Sequence, residues 1–203
     1  SVTNEGNQIL DVGCGFGGDL LKWHKCGANI SMCDPEPIAL IEAQSRAKNM
    51  HIRVNFYSGD IHNCPNRKYD IICYNFSLHY IFECQGKFFE SIREIKKRMK
   101  PGAKLIGIIP DSERITFRVP FKDDMGNFLM MKKYGNGQFG EKLWVNLVDT
   151  PYYADGPKPE PVAYKDLLVT HLEEIGFKLE QWEGLTGNPI SELYSKFIFT
   201  YKR

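Results

Sequence analysis

The six cysteines, Cys14, Cys26, Cys33, Cys64, Cys73 and Cys84, include no CxxC pair and are scattered along the chain. That spacing gives no zinc site, and several of them fall in predicted strands, so they read as reduced thiols of a cytosolic-type protein. No apolar run approaches the length of a membrane span, and no signal peptide is visible. Charge of one sign is also missing: the formal net charge is +1, so bulk electrostatics do not announce a nucleic-acid binder, although a local site could still hold one. There is no internal repeat. What remains is 203 residues, enough for one α/β domain with a sizeable core. The chain starts a few polar residues before its first predicted strand, which reads as a domain cut from a longer protein.

The stretch that organises the rest is Gln8–Trp23, QILDVGCGFGGDLLKW. Apolar residues lead to Asp11, a turn follows with Gly13, Gly15, Gly17 and Gly18, and a helix-like run closes it. This is a strand, a tight loop and a helix. Glycine permits positive φ and lets a ligand approach the backbone, and a helix start offers free N–H groups. Glycine spacing alone is a weak signal. The carboxylate at the end of the strand is what separates it from a dinucleotide site, because an acid suits an ammonium group better than a pyrophosphate. The pattern DxGxGxG resembles the first motif of class I S-adenosylmethionine (SAM)-dependent methyltransferases.

Strand and helix then alternate. Strands are expected at Ile9–Val12, Asn29–Cys33, Arg53–Tyr57, Tyr69–Phe76 and Ala103–Ile109. Helices are expected at about Gly18–Lys25, at Pro35–Asn49 with Ile38, Ile41 and Ala43 as apolar positions, and at Phe88–Met99 with Phe89, Ile92, Ile95 and Met99 on one face. Pro101-Gly102 should stop the last of these. Such alternation implies a mainly parallel sheet covered by helices on both faces. Asp111–Pro161 breaks the pattern and reads as a β-rich insertion. In it Phe128–Tyr134 pairs with Lys142–Val148 around a turn at Tyr134-Gly135-Asn136-Gly137, and a stiff linker spans Asp155–Pro161. A helix at about Ala163–Ile175 and strands at about Lys178–Glu183 and Tyr194–Tyr201 close the chain. With no helix between them, the last strand should be antiparallel. The expected fold is α/β, Rossmann-like, with a seven-stranded sheet.

Ligands of such sheets sit at the carboxyl ends of the strands, where Asp11, Asp34, Asp60 and the Asn75–Tyr80 cluster fall. Asp34 can accept both ribose hydroxyls, and can cap the next helix as well. Asp60 can take the adenine amino group while Ile61 covers the ring; a plain turn aspartate after Gly59 is the alternative. Asp11 or Asp19 would meet the methionine ammonium, although an acid at Asp19 also suits a helix start. Asn75 would reach the methionine portion. The cofactor set is therefore Asp11, Gly13, Gly15, Asp19, Asp34, Asp60, Ile61 and Asn75.

Taken with GCGFGGDLLKW, the stretch Asn75–Glu83 (NFSLHYIFE) resembles mRNA cap guanine-N7 methyltransferases from Ile9 to about Tyr201. The match is closest to the methyltransferase domain of multifunctional capping enzymes of large cytoplasmic, asfarvirus-like DNA viruses. The resemblance implies that Phe76, His79 and Tyr80 stack on and bond the cap guanine, that Glu160 holds its Watson–Crick edge, and that Tyr194 lines its pocket. It also implies that Arg46 reaches the cap phosphates. Phe16 stands where the family commonly has lysine. The implied partners are the capped RNA 5′ end (GpppN) and fused triphosphatase and guanylyltransferase domains, with no membrane. The implied locations are the host cytoplasm and the virion.

The chemistry agrees. Guanine presents N1–H and N2–H donors that a carboxylate accepts as a pair, and aromatic stacking contributes roughly 1–3 kcal/mol per base. N7 has a lone pair and no proton to lose, so no acid, base, nucleophile or metal is expected, only positioning. Arg93–Lys100 reads as a solvated face, and Lys132-Lys133 as a weaker contact for RNA backbone. The competing readings are a SAM enzyme with another acceptor, a non-catalytic module that binds cap or RNA, and an NAD oxidoreductase, which Asp11 disfavours.

Overall fold

The computed structural model describes residues 3–132, 137–148 and 150–202. Strands β1 (Gln8–Val12), β2 (Asn29–Asp34), β3 (Val54–Ser58), β4 (Tyr69–Asn75) and β5 (Met99–Pro110) run parallel in the order β3-β2-β1-β4-β5. Two later strands, β10 (Phe177–Gly184) and β11 (Tyr194–Tyr201), complete a seven-stranded sheet. β11 is antiparallel to both β5 and β10. The chain crosses outward in opposite directions from β1 and β4, so the crevice between their carboxyl ends is where this topology binds ligands. β1 and β4 have the near-continuous burial of strands covered on both faces.

The helices follow their sequence patterns with instructive exceptions. α1 (Leu20–Lys25) starts later than expected, because Gly17 and Gly18 are spent in the turn. α2 (Pro37–Asn49) buries Ala39, Leu40, Ala43 and Ala47 and leaves Ile38 and Ile41 exposed at 72% and 65%. The glycine turn comes closest at Ala43, where a Cβ on Gly17 would lie 3.1 Å from that of Ala43. α3 (Gln85–Arg98) ends before Pro101-Gly102, because Met99 already pairs with Tyr69 at the start of β5. Phe89 is half-buried at the rim of that core, and Met99 is buried from the strand instead.

The basic run at the end of α3 is not all solvated. Arg98 is buried and donates to the carbonyls of Pro65 and Cys64 and to the Glu94 carboxylate. Lys100 pairs with Asp70 at 2.8 Å.

The insertion begins with a helix that sequence reading missed, α4 (Ser112–Arg118), capped by Asp111. It then forms a four-stranded antiparallel sheet in the order β6 (Phe121–Lys122), β7 (Phe128–Lys132), β8 (Lys142–Asn146), β9 (Lys158–Pro161). The expected hairpin is β7–β8; most of its turn, including Tyr134-Gly135-Asn136, and Lys133 lie outside the described residues. The supposed linker is in part a strand, since β9 pairs with β8 through Glu160 and Leu143. β9 is an edge strand, where prolines cost no ladder bond on the open side. α5 (Lys165–Glu174) then leads back to the main sheet.

Buried Asp111 ties the insertion to that sheet: its carboxylate accepts from Trp182 Nε1 at 2.9 Å and from the Ser195 hydroxyl. Beside it, Gly107 of β5 lies under Phe197 of β11, and a Cβ there would come within 2.2 Å of the Tyr74 carbonyl and 2.7 Å of the Phe197 ring. Gly107→Ala should therefore lower stability by about 1–3 kcal/mol, read as a reduced urea midpoint with an unchanged slope; an unchanged midpoint would contradict this packing.

Candidate active site

The glycine turn is built for close approach. Gly13, Gly15 and Gly17 all have positive φ, at 72°, 51° and 75°. Gly13 also faces Ser77, whose Cβ would lie 2.4 Å from a Cβ at position 13. The Ser77 hydroxyl donates to the Val12 carbonyl at 2.6 Å and latches the loop after β4 to the end of β1. A Cβ at Gly15 would meet nothing within 4 Å, so the open side of the turn is at that residue.

Carboxylates surround the turn. Asp34 accepts from the backbone N–H of Gly15 at 2.7 Å and of Glu36 at 2.8 Å. An ionised carboxylate has about four acceptor positions, so lone pairs remain for ribose hydroxyls. Burial raises the Asp34 carboxyl, and the two N–H donors oppose that. Asp19 accepts from Asn75 Nδ2 at 2.6 Å and pairs with Lys22, which joins the loops after β1 and β4. Asp60 caps the one-turn helix Ile61–Asn63 and contacts His62 Nδ1 at 2.8 Å while remaining exposed.

Two cofactor expectations change. Asp11 is buried at 2% and accepts from Trp23 Nε1 at 2.9 Å. It lies behind the groove and anchors α1, which leaves Asp19 as the acid at the rim. Ile61 is also buried, among Leu10, Val12, Cys64 and Leu78. It opens the one-turn helix that Asp60 caps, with its side chain in the core. The remaining set of carboxylates and open glycine backbone suits a cationic nucleoside with free ribose hydroxyls.

The second half of the site meets Glu160. β9 carries this carboxylate inward until it is 4% exposed. His79 Nε2 lies 3.1 Å from Oε2, close enough for an ion pair although its angles miss hydrogen-bond geometry. On Oε1 it accepts from Tyr80 at 3.3 Å and from Tyr153. Burial pushes the Glu160 carboxyl up, but His79 and the two phenols outweigh it and hold it below the ordinary 4.5. Burial and the Glu160 charge in turn push the phenols of Tyr80, Tyr153 and Tyr194 well up, so they remain protonated donors.

Phe76 stands at the mouth. Expected as the last strand residue, it has instead left β4 with φ of 56° and is 49% exposed. A left-handed phenylalanine costs of order 1–3 kcal/mol and is found where surroundings or function impose it. Its ring meets Tyr194 edge-on at 5.4 Å. The two rings line a pocket of about 160 Å³ with Leu147, Leu185, Ile190 and Ser191.

Phe76, His79, Tyr80, Glu160 and Tyr194 are therefore brought together. Arg46 is not joined to them: it lies in the last turn of α2 and pairs with Glu42 at 3.1 Å. Sequence reading missed Tyr152 and Tyr153, two adjacent aromatics in an insertion with no motif around them. Tyr152 shares a 2.7 Å hydroxyl contact with Tyr80 and lies under the Lys158 ammonium at 4.2 Å. Among the described residues no group of His, Cys, Asp and Glu is gathered as a metal site, and no helix is long and apolar enough to cross a membrane.

The family model described as the mRNA (guanine-N(7))-methyltransferase domain matches residues 2–149. A curated mRNA cap guanine-N(7) methyltransferase from Schizosaccharomyces pombe is 31% identical over 160 residues, covering 73% of this chain and 40% of that protein. One of the same name from Caenorhabditis elegans is 29% identical, covering 67% and 37%. The chain spans about two fifths of the length of these relatives. Among solved structures, it is similar to SAM-dependent methyltransferases from Clostridium acetobutylicum (TM-score 0.67, 14% identity, covering 97% of this chain and 84% of that one) and Mesorhizobium loti (0.63, 16%, 97% and 91%). At those identities the likeness is one of fold.

Burial holds the Asp11 carboxyl far above 3.8, up to about 7, with the Trp23 N–H opposing and Asp19 and Asp34 adding to it. A carboxyl raised in the folded state loses stability as pH rises from its unfolded to its folded value. Asp11→Asn keeps an acceptor for Trp23 and removes that charge. Its melting temperature should exceed that of the unaltered chain at pH 8, with the gain gone by pH 4. An equal shift at both pH values would contradict the buried ionisation.

Proposed function

The chain belongs to the mRNA (guanine-N7)-methyltransferase family, and on that footing we propose that it transfers a methyl group from SAM to N7 of the guanine cap of GpppN RNA. The observation that carries this reading is Glu160: a buried carboxylate held ionised by His79, Tyr80 and Tyr153, which β9 of the small sheet brings against the segment that follows β4 of the large one. An acceptor-only group of that kind matches the paired N–H donors of guanine.

SAM supplies a methyl group already activated by its sulfonium. The chain's own residues bind and align. Asp34 takes the ribose hydroxyls, Asp19 and Asn75 the methionine end, and Asp60 the adenine amine. Glu160 fixes the base edge, while Phe76, Tyr80 and Tyr194 enclose the ring and exclude water. His79 bears on the Glu160 oxygen from beside the base. With N7 unprotonated there is no proton to move, and rate comes from holding donor and acceptor collinear. A cationic 7-methylguanine product gains cation–π attraction from the same rings. Arg46 would have to leave Glu42 to meet the cap phosphates.

The chain acts as one methyltransferase domain, residues 1–203, carrying the insertion at about 111–161. The glycine and His-Tyr motifs support an origin in an asfarvirus-like capping enzyme with fused triphosphatase and guanylyltransferase units. Such an enzyme would work in the host cytoplasm and be carried in the virion.

The test is methyl transfer from labelled SAM to GpppA-capped and uncapped RNA. Label should enter only capped RNA, and His79→Ala or Glu160→Ala should lower kcat/KM at least about 100-fold without weakening SAM binding. Label on another acceptor, or SAM binding without turnover, would replace this reading. So would full cap methylation by both variants.

A further inference from the structure

We infer that Tyr153 is a positioning residue that gives the acceptor site its selectivity for guanine over hypoxanthine. The inference rests on the reading of Glu160 as the carboxylate that takes the guanine edge. The two Glu160 oxygens have different surroundings. Oε2 faces His79 Nε2 at 3.1 Å, whereas Oε1 is held by phenols. Of these, Tyr80 is the looser, at 3.3 Å, and its hydroxyl is shared with Tyr152 at 2.7 Å. Tyr153 makes the closer bond and is itself buried, with its ring edge-on to Tyr152 at 4.9 Å.

Local backbone sets it there. Tyr153 closes the one-turn helix Pro151–Tyr153, and its carbonyl accepts from Gly156 N at 2.9 Å. Gly156 has φ of 104°, which turns the chain directly back into β9 and Glu160. The groups facing Glu160 are His79 and Tyr80 from the segment after β4, Tyr153 from the insertion, and Tyr194 from β11.

A carboxylate bound at one oxygen cannot spin about its last torsion, so both oxygens present to the base as a fixed pair. Guanine fills that pair with N1–H and N2–H. Hypoxanthine has N1–H alone and forgoes one of the two charged hydrogen bonds. Without the Tyr153 hydroxyl, Oε1 keeps only the longer, shared Tyr80 contact, a hold loose enough for the carboxylate to turn and serve N1–H alone, and the two bases become equivalent.

The test compares kcat/KM for GpppA-capped and IpppA-capped RNA. The unaltered protein should prefer guanine by about 10- to 100-fold, the worth of a charged hydrogen bond. Tyr153→Phe keeps the ring. It should reduce the preference to within about threefold, chiefly through a higher KM for GpppA. Glu160→Gln should collapse the ratio as well, independently of how Tyr153→Phe folds, and SAM binding by calorimetry reports folding of both. A ratio that survives in either variant, with both substrates falling equally or neither falling, overturns the inference. So does an unaltered protein that methylates GpppA efficiently yet shows a ratio near one, a result that leaves the proposed function standing. Absence of GpppA methylation by the unaltered protein would instead remove the proposed function.

Discussion

The site depends on one buried charge. A carboxylate taken out of water is expensive unless donors replace its hydration. Glu160 survives at 4% exposure because His79, Tyr80 and Tyr153 converge on it from two different parts of the chain. His79 and Tyr80 come from the loop after a central strand, and Tyr153 comes from the insertion. The charge therefore does more than present an acceptor: it fastens the small sheet to the carboxyl edge of the large one. Removing a donor exposes the same desolvation cost that the cluster offsets, so binding geometry and local stability are coupled at this residue.

The cofactor side follows a similar logic with the signs arranged differently. Asp11 is buried, and among the described residues an indole is its sole side-chain hydrogen-bond donor. Its carboxyl consequently rises, and it serves as an anchor rather than as a contact. Asp19, Asp34 and Asp60 keep exposure or backbone N–H donors, and they sit at the carboxyl ends of β1, β2 and β3. Ser77 and Asn75 link the loops after β1 and β4, so the glycine turn and the acceptor loop are held as one unit. That linkage is what the proposed collinear transfer would require.

Much of this was legible in the sequence. Alternation gave the parallel sheet and its antiparallel last strand, and the residues at strand ends gave the groove. Phe76, His79, Tyr80, Glu160 and Tyr194 came from the family resemblance, and the structure brings them together. The failures have physical causes. Ile38 and Ile41 have helical spacing suitable for a core, but α2 turns Ala39, Leu40, Ala43 and Ala47 inward, with Ala43 against the glycine turn, and leaves both isoleucines on its outer side. The prolines around Glu160 read as a stiff, extended linker, and extended backbone with prolines on its open side is also what an edge strand accepts. Ile61 follows an acid as an adenine-covering residue would, yet it opens the one-turn helix that acid caps, with its side chain in the core. Tyr153 belongs to no motif; only the return of the chain at Gly156 places it on Glu160.

The most direct measurement is a titration of the Glu160 carboxyl by carbon-13 NMR, with and without a GpppG dinucleotide. The account predicts a titration midpoint below the ordinary 4.5 and a displaced Glu160 signal when the dinucleotide binds. A midpoint above that value, or a signal indifferent to the dinucleotide, would contradict it.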